Sequence, residues 1–286
     1  MTAQILDGRE IARAVRKDLA EIVAKRRTDD QPPAGLAIVR AGGDAASAVY
    51  TNALVRISHQ IGVETSVITL PEETDNAGLR GCIEALNLDE RVQGILIQLP
   101  LPSHLSQRTV AEAIDPRKDV DGINLRSAGN LFLRLPSFVP STAAAVLEIL
   151  DRASIDVAGK RVVIVGASNV VGKPLAFLLL HRDATVTVCH IYTRDLPAWT
   201  RQADVLISAA GKAGLIQPEM VKPGSIVLDV GINVLPNNTI TGDVDFAAVR
   251  EVAGAITPVP GGVGQLTNLM LLKQTLLAGS LWRTLG

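Results

Sequence analysis

The feature that most constrains this chain is an alternation that sets in after Ala34: short apolar runs, each followed by a segment whose apolar residues return every three or four positions. Such a run reads as a strand buried on both faces, and the helical segment behind it as the crossover that a parallel neighbour requires. Residues 35–39, 64–70 and 94–98 read as strands, with helices over 45–61 and 77–86 between them. A leading helix over 8–25 carries Ile11, Val15, Leu19, Ile22 and Val23 at helical spacing and a charged opposite face. From Pro136 turn residues accumulate, and a helix over 142–151 leads into further strands at 161–165, 185–188, 204–208 and 225–230. The expected class is α/β with mostly parallel sheets. A length of 286 residues suits two domains at the usual size of about 150. The expected division is 1–138, completed by a C-terminal helix at 267–286, and 139–266.

Charge and composition narrow the function. Twenty-eight basic residues against 29 acidic ones, a net charge of −1, leave no field to hold a polyanion, so nucleic acid is not an expected partner. The longest apolar stretches, such as 175–180, fall far short of the ~20 residues that cross a bilayer, so no membrane association is expected. The first eight residues lack a basic segment followed by an apolar one, and Cys82 and Cys189 show no CxxC spacing; both point to a cytoplasmic protein.

The clearest single chemical signal spans 162–174, where Val-Val-Ile-Val runs into Gly166-Ala167-Ser168-Asn169-Val170-Val171-Gly172-Lys173-Pro174. A strand, a glycine turn and a helix start aim backbone N–H groups and a helix dipole at an anion, usually a pyrophosphate. The spacing is not that of a nucleoside-triphosphatase loop, because five residues separate Gly166 from Gly172 and Pro174 stands where Ser or Thr would hold magnesium. Nor is it G-x-G-x-x-G, since Ser168 and Val171 take two of the glycine places. Taken alone, the loop also fits an ordinary βα turn. The strand at 185–188 ends in Cys189-His190 without the acid that grips a ribose 2′-hydroxyl, which tilts the cofactor toward NADP. Ile191 offers a 2′-phosphate nothing, and only Lys173 and Arg194 are nearby cations, so NAD stays open. Cys189 and His190 point to opposite faces as neighbours at a strand end, and no metal site is expected.

Four further segments combine polar residues with glycine and proline: Ser47-Ala48-Val49-Tyr50, Gln98-Leu99-Pro100-Leu101-Pro102, Lys118-Asp119-Val120-Asp121-Gly122 and Thr257-Pro258-Val259-Pro260-Gly261-Gly262-Val263-Gly264. With the Gly166 loop, and with Asp7-Gly8, Gly211-Lys212, Asp229 to Asn233 and Gly242-Asp243-Val244, they resemble the methylenetetrahydrofolate dehydrogenase/cyclohydrolase family, called FolD in bacteria. The order QLPLP, KDVDG, PVPGGVG carries most of that specificity. The resemblance implies an N-terminal α/β catalytic domain and a Rossmann-type dinucleotide domain, folate in the cleft between them, and a homodimer. It implies oxidation of 5,10-methylenetetrahydrofolate by NADP to the methenyl cation, then hydration to 10-formyltetrahydrofolate. Carried over by position, Tyr50 stacks on the folate, Gln98 lies beside the reacting carbon and Asp121 grips the pterin. Pro260, Gly261 and Gly262 line the place where nicotinamide meets folate, while Gly166, Ala167, Ser168, Ile191, Gly211, Ile232 and Thr267 are the expected dinucleotide contacts.

The pattern breaks where the family has a lysine four residues after the tyrosine, because Leu54 stands there. That lysine is the group held to manage protons in the cyclohydrolase step. Arg56 lies about 200° around the helix from Tyr50's neighbour at 54 and is a poor proton shuttle. Ser141, Ala143, Gln265 and Leu266 also depart from the family pattern. Hydride transfer rests on positioning and electrostatics, whereas hydration needs a water deprotonated. The expected protein is therefore a dehydrogenase with weak or absent cyclohydrolase. The alternatives are a fully bifunctional enzyme with a substitute proton carrier, and a non-catalytic folate-binding paralogue.

Overall fold

The computed structural model of the chain describes residues 2–42 and 45–281. Its first half comprises β1 (Gln4–Ile5), α1 (Gly8–Thr28), β2 (Gly35–Ala41), α2 (Ala45–Ile61), β3 (Glu64–Leu70), α3 (Asn76–Leu88), β4 (Gly94–Ile97), α4 (Gln107–Ala113) and α5 (Leu125–Phe132). There follow α6 (Ser141–Arg152), β5 (Arg161–Val165), α7 (Gly172–Leu180), β6 (Thr185–Cys189), α8 (Leu196–Thr200), β7 (Val205–Ser208) and β8 (Ile226–Asp229). The last elements are β9 (Asn233–Val234), β10 (Ile240–Thr241), α9 (Phe246–Val249), β11 (Ala255–Ile256) and α10 (Thr267–Leu281). Among the described residues no helix is long and apolar enough to cross a membrane.

The chain divides into two compact units, one of 14–141 with 268–286, the other of 1–13 with 142–267. Of the expected C-terminal segment, 282–286 lie outside the described residues. In the first unit β2 pairs in parallel with β3 on one side and β4 on the other. Ala37 and Val39 of β2 and Ile95 and Ile97 of β4 meet Leu79 and Ile83 of α3 and Val110 of α4 in one apolar core. Asp75 starts α3 by accepting from Gly78 N at 2.8 Å, and Asn124 starts α5 by accepting from Arg126 N at 2.6 Å, as side-chain oxygens do for otherwise orphaned helix donors.

The second unit is a six-stranded parallel sheet in the order β1-β11-β8-β7-β5-β6, as the Rossmann-type expectation required. Because β5 has β6 on one side and β7 on the other, the connections leave it in opposite directions. The crevice outside the carboxyl ends of β5 and β7 is therefore where such a sheet takes a ligand. One boundary differs from expectation: residues 1–13, assigned by sequence to the 1–138 domain, lie with this second unit. Gln4 and Ile5 extend the sheet by pairing with Ala255 and Ile256. Two-residue strands are too short to show any period, and the pairing is between distant parts of the chain.

Candidate active site

In the 14–141 unit the expected folate residues follow the carboxyl ends of the strands. Tyr50 lies on α2, the helix after β2, and is half-buried. Its phenol is pushed above its ordinary pKa, first by burial and then by the charge of Asp121, so these two side chains share one environment. Asp121 is half-buried in the turn after Asp119 and accepts from Ser141 N at 3.0 Å; burial raises its carboxyl too. Gln98 continues β4 with its N–H on Val39 O at 2.9 Å. Its Nε2 donates to Leu99 O at 3.2 Å, while Oε1 is buried and has no partner among the described residues. A buried carbonyl oxygen left open is costly, and such orphans mark places where something else binds. Both QLPLP and PVPGGVG contain a cis bond, Leu99–Pro100 and Val259–Pro260.

The turn that presents Asp121 is held from beneath by Asp119, which the sequence did not single out. Its carboxylate is 0% exposed and accepts from Ile123 N at 3.0 Å and Asn124 N at 2.8 Å. Burial pushes its pKa up to about 7. Leu54, four residues along α2 from Tyr50, is 0% exposed, whereas Arg56 and His59 are exposed. Neither side chain therefore shares the buried position of Leu54.

In the other unit the chain leaves β5 at Gly166, whose φ is +128° and whose N–H donates to Cys189 O at 2.9 Å. A Cβ at Gly166 would sit 2.2 Å from Ala209 O, and one at Gly172 would sit 1.9 Å from Gly166 O. The turn is thus packed as tightly as backbone allows, and only glycine fits at either place. Ser168 Oγ accepts from Val171 N at 3.1 Å. Val171, at the N-cap position of the nine-residue α7, offers no side-chain cap; instead Lys173 N donates to Ser168 O at 3.1 Å, and Pro174 has no N–H to offer.

The remaining expected contacts separate into two groups. Ile232, Pro260, Gly261 and Gly262 line one cavity of about 170 Å³, together with Asp229 and Gln265. Gly8 N donates to Gly261 O at 2.8 Å, which explains why the N-terminal Asp-Gly belongs with this loop. Gly211 lies on the loop after β7, and Thr267 is the half-buried first residue of α10. Ile191 is 88% exposed just past β6. Lys173 Nζ is held by Asn169 Oδ1 at 2.7 Å, and Arg194 is exposed. Cys189 is buried and His190 exposed.

Known proteins match this chain along nearly its whole length. A family model described as the catalytic domain of tetrahydrofolate dehydrogenase/cyclohydrolase covers residues 6–121, and one described as its NAD(P)-binding domain covers 140–281. The bifunctional protein FolD of Variovorax paradoxus is 47% identical over 278 residues, which is 97% of this chain and 98% of that protein. Its counterpart in Geobacillus kaustophilus is 48% identical over 278 residues, with the same 97% and 98% covered. The crystal structure of bifunctional FolD from Campylobacter jejuni superposes with a TM-score of 0.94 at 42% identity, covering 96% of this chain and 98% of that one. The Trypanosoma brucei enzyme, solved with NADP and an inhibitor, gives a TM-score of 0.93 at 35% identity, covering 100% and 99%. A chain that carries both domains of one enzyme family in order, on the same fold, belongs to it: this protein is a member of the tetrahydrofolate dehydrogenase/cyclohydrolase family, with an NAD(P)-binding domain at residues 140–281.

Proposed function

We propose that this protein oxidises 5,10-methylenetetrahydrofolate with NADP, and that its cyclohydrolase step is weak or absent because Leu54 leaves no amine beside Tyr50 to take the proton of the attacking water. The carrying observation is the complete burial of Leu54 on α2, with Arg56 and His59 on exposed positions of that helix. Hydration of a methenyl carbon needs an attacking water to lose a proton, and a positioned side chain is typically worth ~10²–10⁴-fold there. Hydride transfer needs no protein base. When bound, the dinucleotide supplies the hydride acceptor. The tight Gly166 turn leading into α7 suits its pyrophosphate, and the lack of an acid after β6 favours NADP over NAD.

The chain's own residues take distinct parts in this proposal. The Asp121 carboxylate accepts from the donor-rich edge of the pterin, a charge-assisted arrangement. Tyr50 stays protonated because burial and Asp121 both raise its phenol, so it packs on the folate as a neutral ring. The open Oε1 of Gln98 is an acceptor dipole suited to positive charge developing at the reacting carbon, pre-set because Nε2 is tied to Leu99 O. Ile232 and the Pro260-Gly261-Gly262 loop give the nicotinamide a narrow apolar wall, with Ala167 and Ser168 beside the pyrophosphate and Ile191, Gly211 and Thr267 at its margins. A homodimer completes the proposal, and light scattering in solution tests it.

A second reading, a fully bifunctional enzyme, is favoured by the names of the Variovorax and Geobacillus relatives, which call those proteins bifunctional. One assay separates the two. Purified protein is given methylenetetrahydrofolate with NADP or NAD, and both the methenyl and formyl products are followed. Accumulation of methenyltetrahydrofolate supports the first reading, and prompt conversion to the formyl product supports the second.

A further inference from the structure

The family pattern includes two acidic segments, Asp229 to Asn233 and Gly242-Asp243-Val244, to whose aspartates neither folate nor dinucleotide chemistry assigns a part. In the structure they interlock. Asp229 accepts from Gly231 N, Asp243 N and Val244 N, each at 3.0 Å, and its own N–H donates to Thr257 Oγ1 at 2.7 Å. Asp243 is 0% exposed and collects five donors: Ser208 Oγ at 3.0 Å, Ala210 N at 2.7 Å, Gly211 N at 3.3 Å, Lys212 N at 2.8 Å and Asn233 Nδ2 at 3.0 Å. Three successive N–H groups converging on one point, with Gly211 at φ +65°, form an anion nest of the kind that elsewhere holds phosphate. Here a carboxylate of the protein already fills it.

On the reading that the Gly166 turn holds the dinucleotide, we propose that Asp243 is a positioning residue for dinucleotide binding: it fills the nest at 210–212 and so fixes the wall on which the Gly166 turn is built. The coupling is geometric. Ala209 N donates to Val165 O at 2.7 Å, and the backbone of Ala209 comes so close to Gly166 that a single added carbon would collide. A shift in the loop after β7 therefore moves the turn after β5. The same network runs through Asp229 to Thr257, the residue that opens the Pro258 to Gly262 loop of the cavity. Since the N–H of Gly211 is committed to Asp243, the pyrophosphate is left to the Gly166 turn, and Gly211 acts through loop shape rather than as a phosphate donor.

The test compares full-length wild type, Asp243→Ala and Asp243→Asn by NADP titration and by the KM for methylenetetrahydrofolate at saturating NADP. Misplacing a binding wall by a fraction of an ångström is expected to raise the Kd for NADP of Asp243→Ala about tenfold or more. The KM for folate should change less, by about twofold at most, since Tyr50, Gln98 and Asp121 lie in the other unit. Sodium formate, a carboxylate small enough for the vacated nest, should restore part of the NADP affinity, and neutral formamide should not. Should Asp243→Ala not fold, Asp243→Asn decides: it keeps the shape but turns an amide donor toward N–H groups, and its NADP affinity should fall while its folate KM holds. Wild-type NADP affinity in the folded variants, or equal losses for both ligands without formate rescue, would overturn the proposal. A wild type that binds no dinucleotide would overturn the reading of the Gly166 turn beneath it.

Discussion

The two units make their edges from different material. The 142–267 unit shapes its edge with backbone: a glycine turn at van der Waals limits, a helix start closed on the Ser168 carbonyl and a nest of N–H groups filled by Asp243. The 14–141 unit presents side chains instead, with a half-buried Tyr50 that feels the charge of Asp121 and an open oxygen on Gln98. A backbone edge is indifferent to most side-chain exchanges and fails where glycine is lost. A side-chain edge can lose one chemical step through one residue, and under the proposed function Leu54 is the place to look for such a loss.

The sharpest way to break that contrast is Gly166→Ala. Its Cβ would lie 2.2 Å from a backbone oxygen, at a φ of +128° that L residues rarely adopt. Dinucleotide binding should fall by about a hundredfold or more, as a misplaced turn implies, and a titration with undiminished affinity would end the claim of a backbone-built edge. On the other edge, Asp121→Ala should weaken folate binding by roughly 1.5–3 kcal/mol, the size of a charge-assisted hydrogen bond, with NADP affinity unchanged. Calorimetry with each ligand separates the two, and equal losses for both would blur the contrast. Leu54→Lys should gain methenyl hydrolysis, roughly tenfold over wild type, short of the full ~10²–10⁴ because the position is closed to water. No gain in a folded variant would mean that position 54 is not the missing part.

The smallest expected effect concerns the support beneath Asp121. Burial raises the Asp119 carboxyl to about 7, above its unfolded value of about 3.9. The folded protein therefore holds this proton more tightly than the unfolded chain, and the associated stability is present in full below about pH 4 and lost as pH rises through about 7. Urea denaturation of Asp119→Asn should show a shallower decline between those limits than wild type. Parallel curves would place the titration elsewhere.

What was legible in the sequence follows from range. Strands β3 and β5 and helix α2 were expected at their observed limits, because five or more residues of consistent pattern carry a period that neighbours do not have to supply. The helices α4 and α5, of seven and eight residues, span about two turns and were not expected. Tyr50, Gln98, Asp121 and the two glycine-rich loops were proposed through motif resemblance, and the charge of Asp121 reaches the Tyr50 phenol. Asp119 and Asp243 lie in quoted motifs, but their roles were not read, because their work is to accept from backbone N–H groups, some of them some 30 residues away, which no local pattern records. An acid flanked by glycine, as at Gly242-Asp243, is the one signal that could have raised the question.

The central claim is that this chain keeps hydride transfer and lacks assisted hydration. The direct measurement is the decay of methenyltetrahydrofolate absorbance with and without wild-type protein, in buffer where the same preparation oxidises methylenetetrahydrofolate with NADP. The account predicts decay no faster than in the protein-free control. Decay about a hundredfold or more above that control, the scale of a working general base, would contradict it.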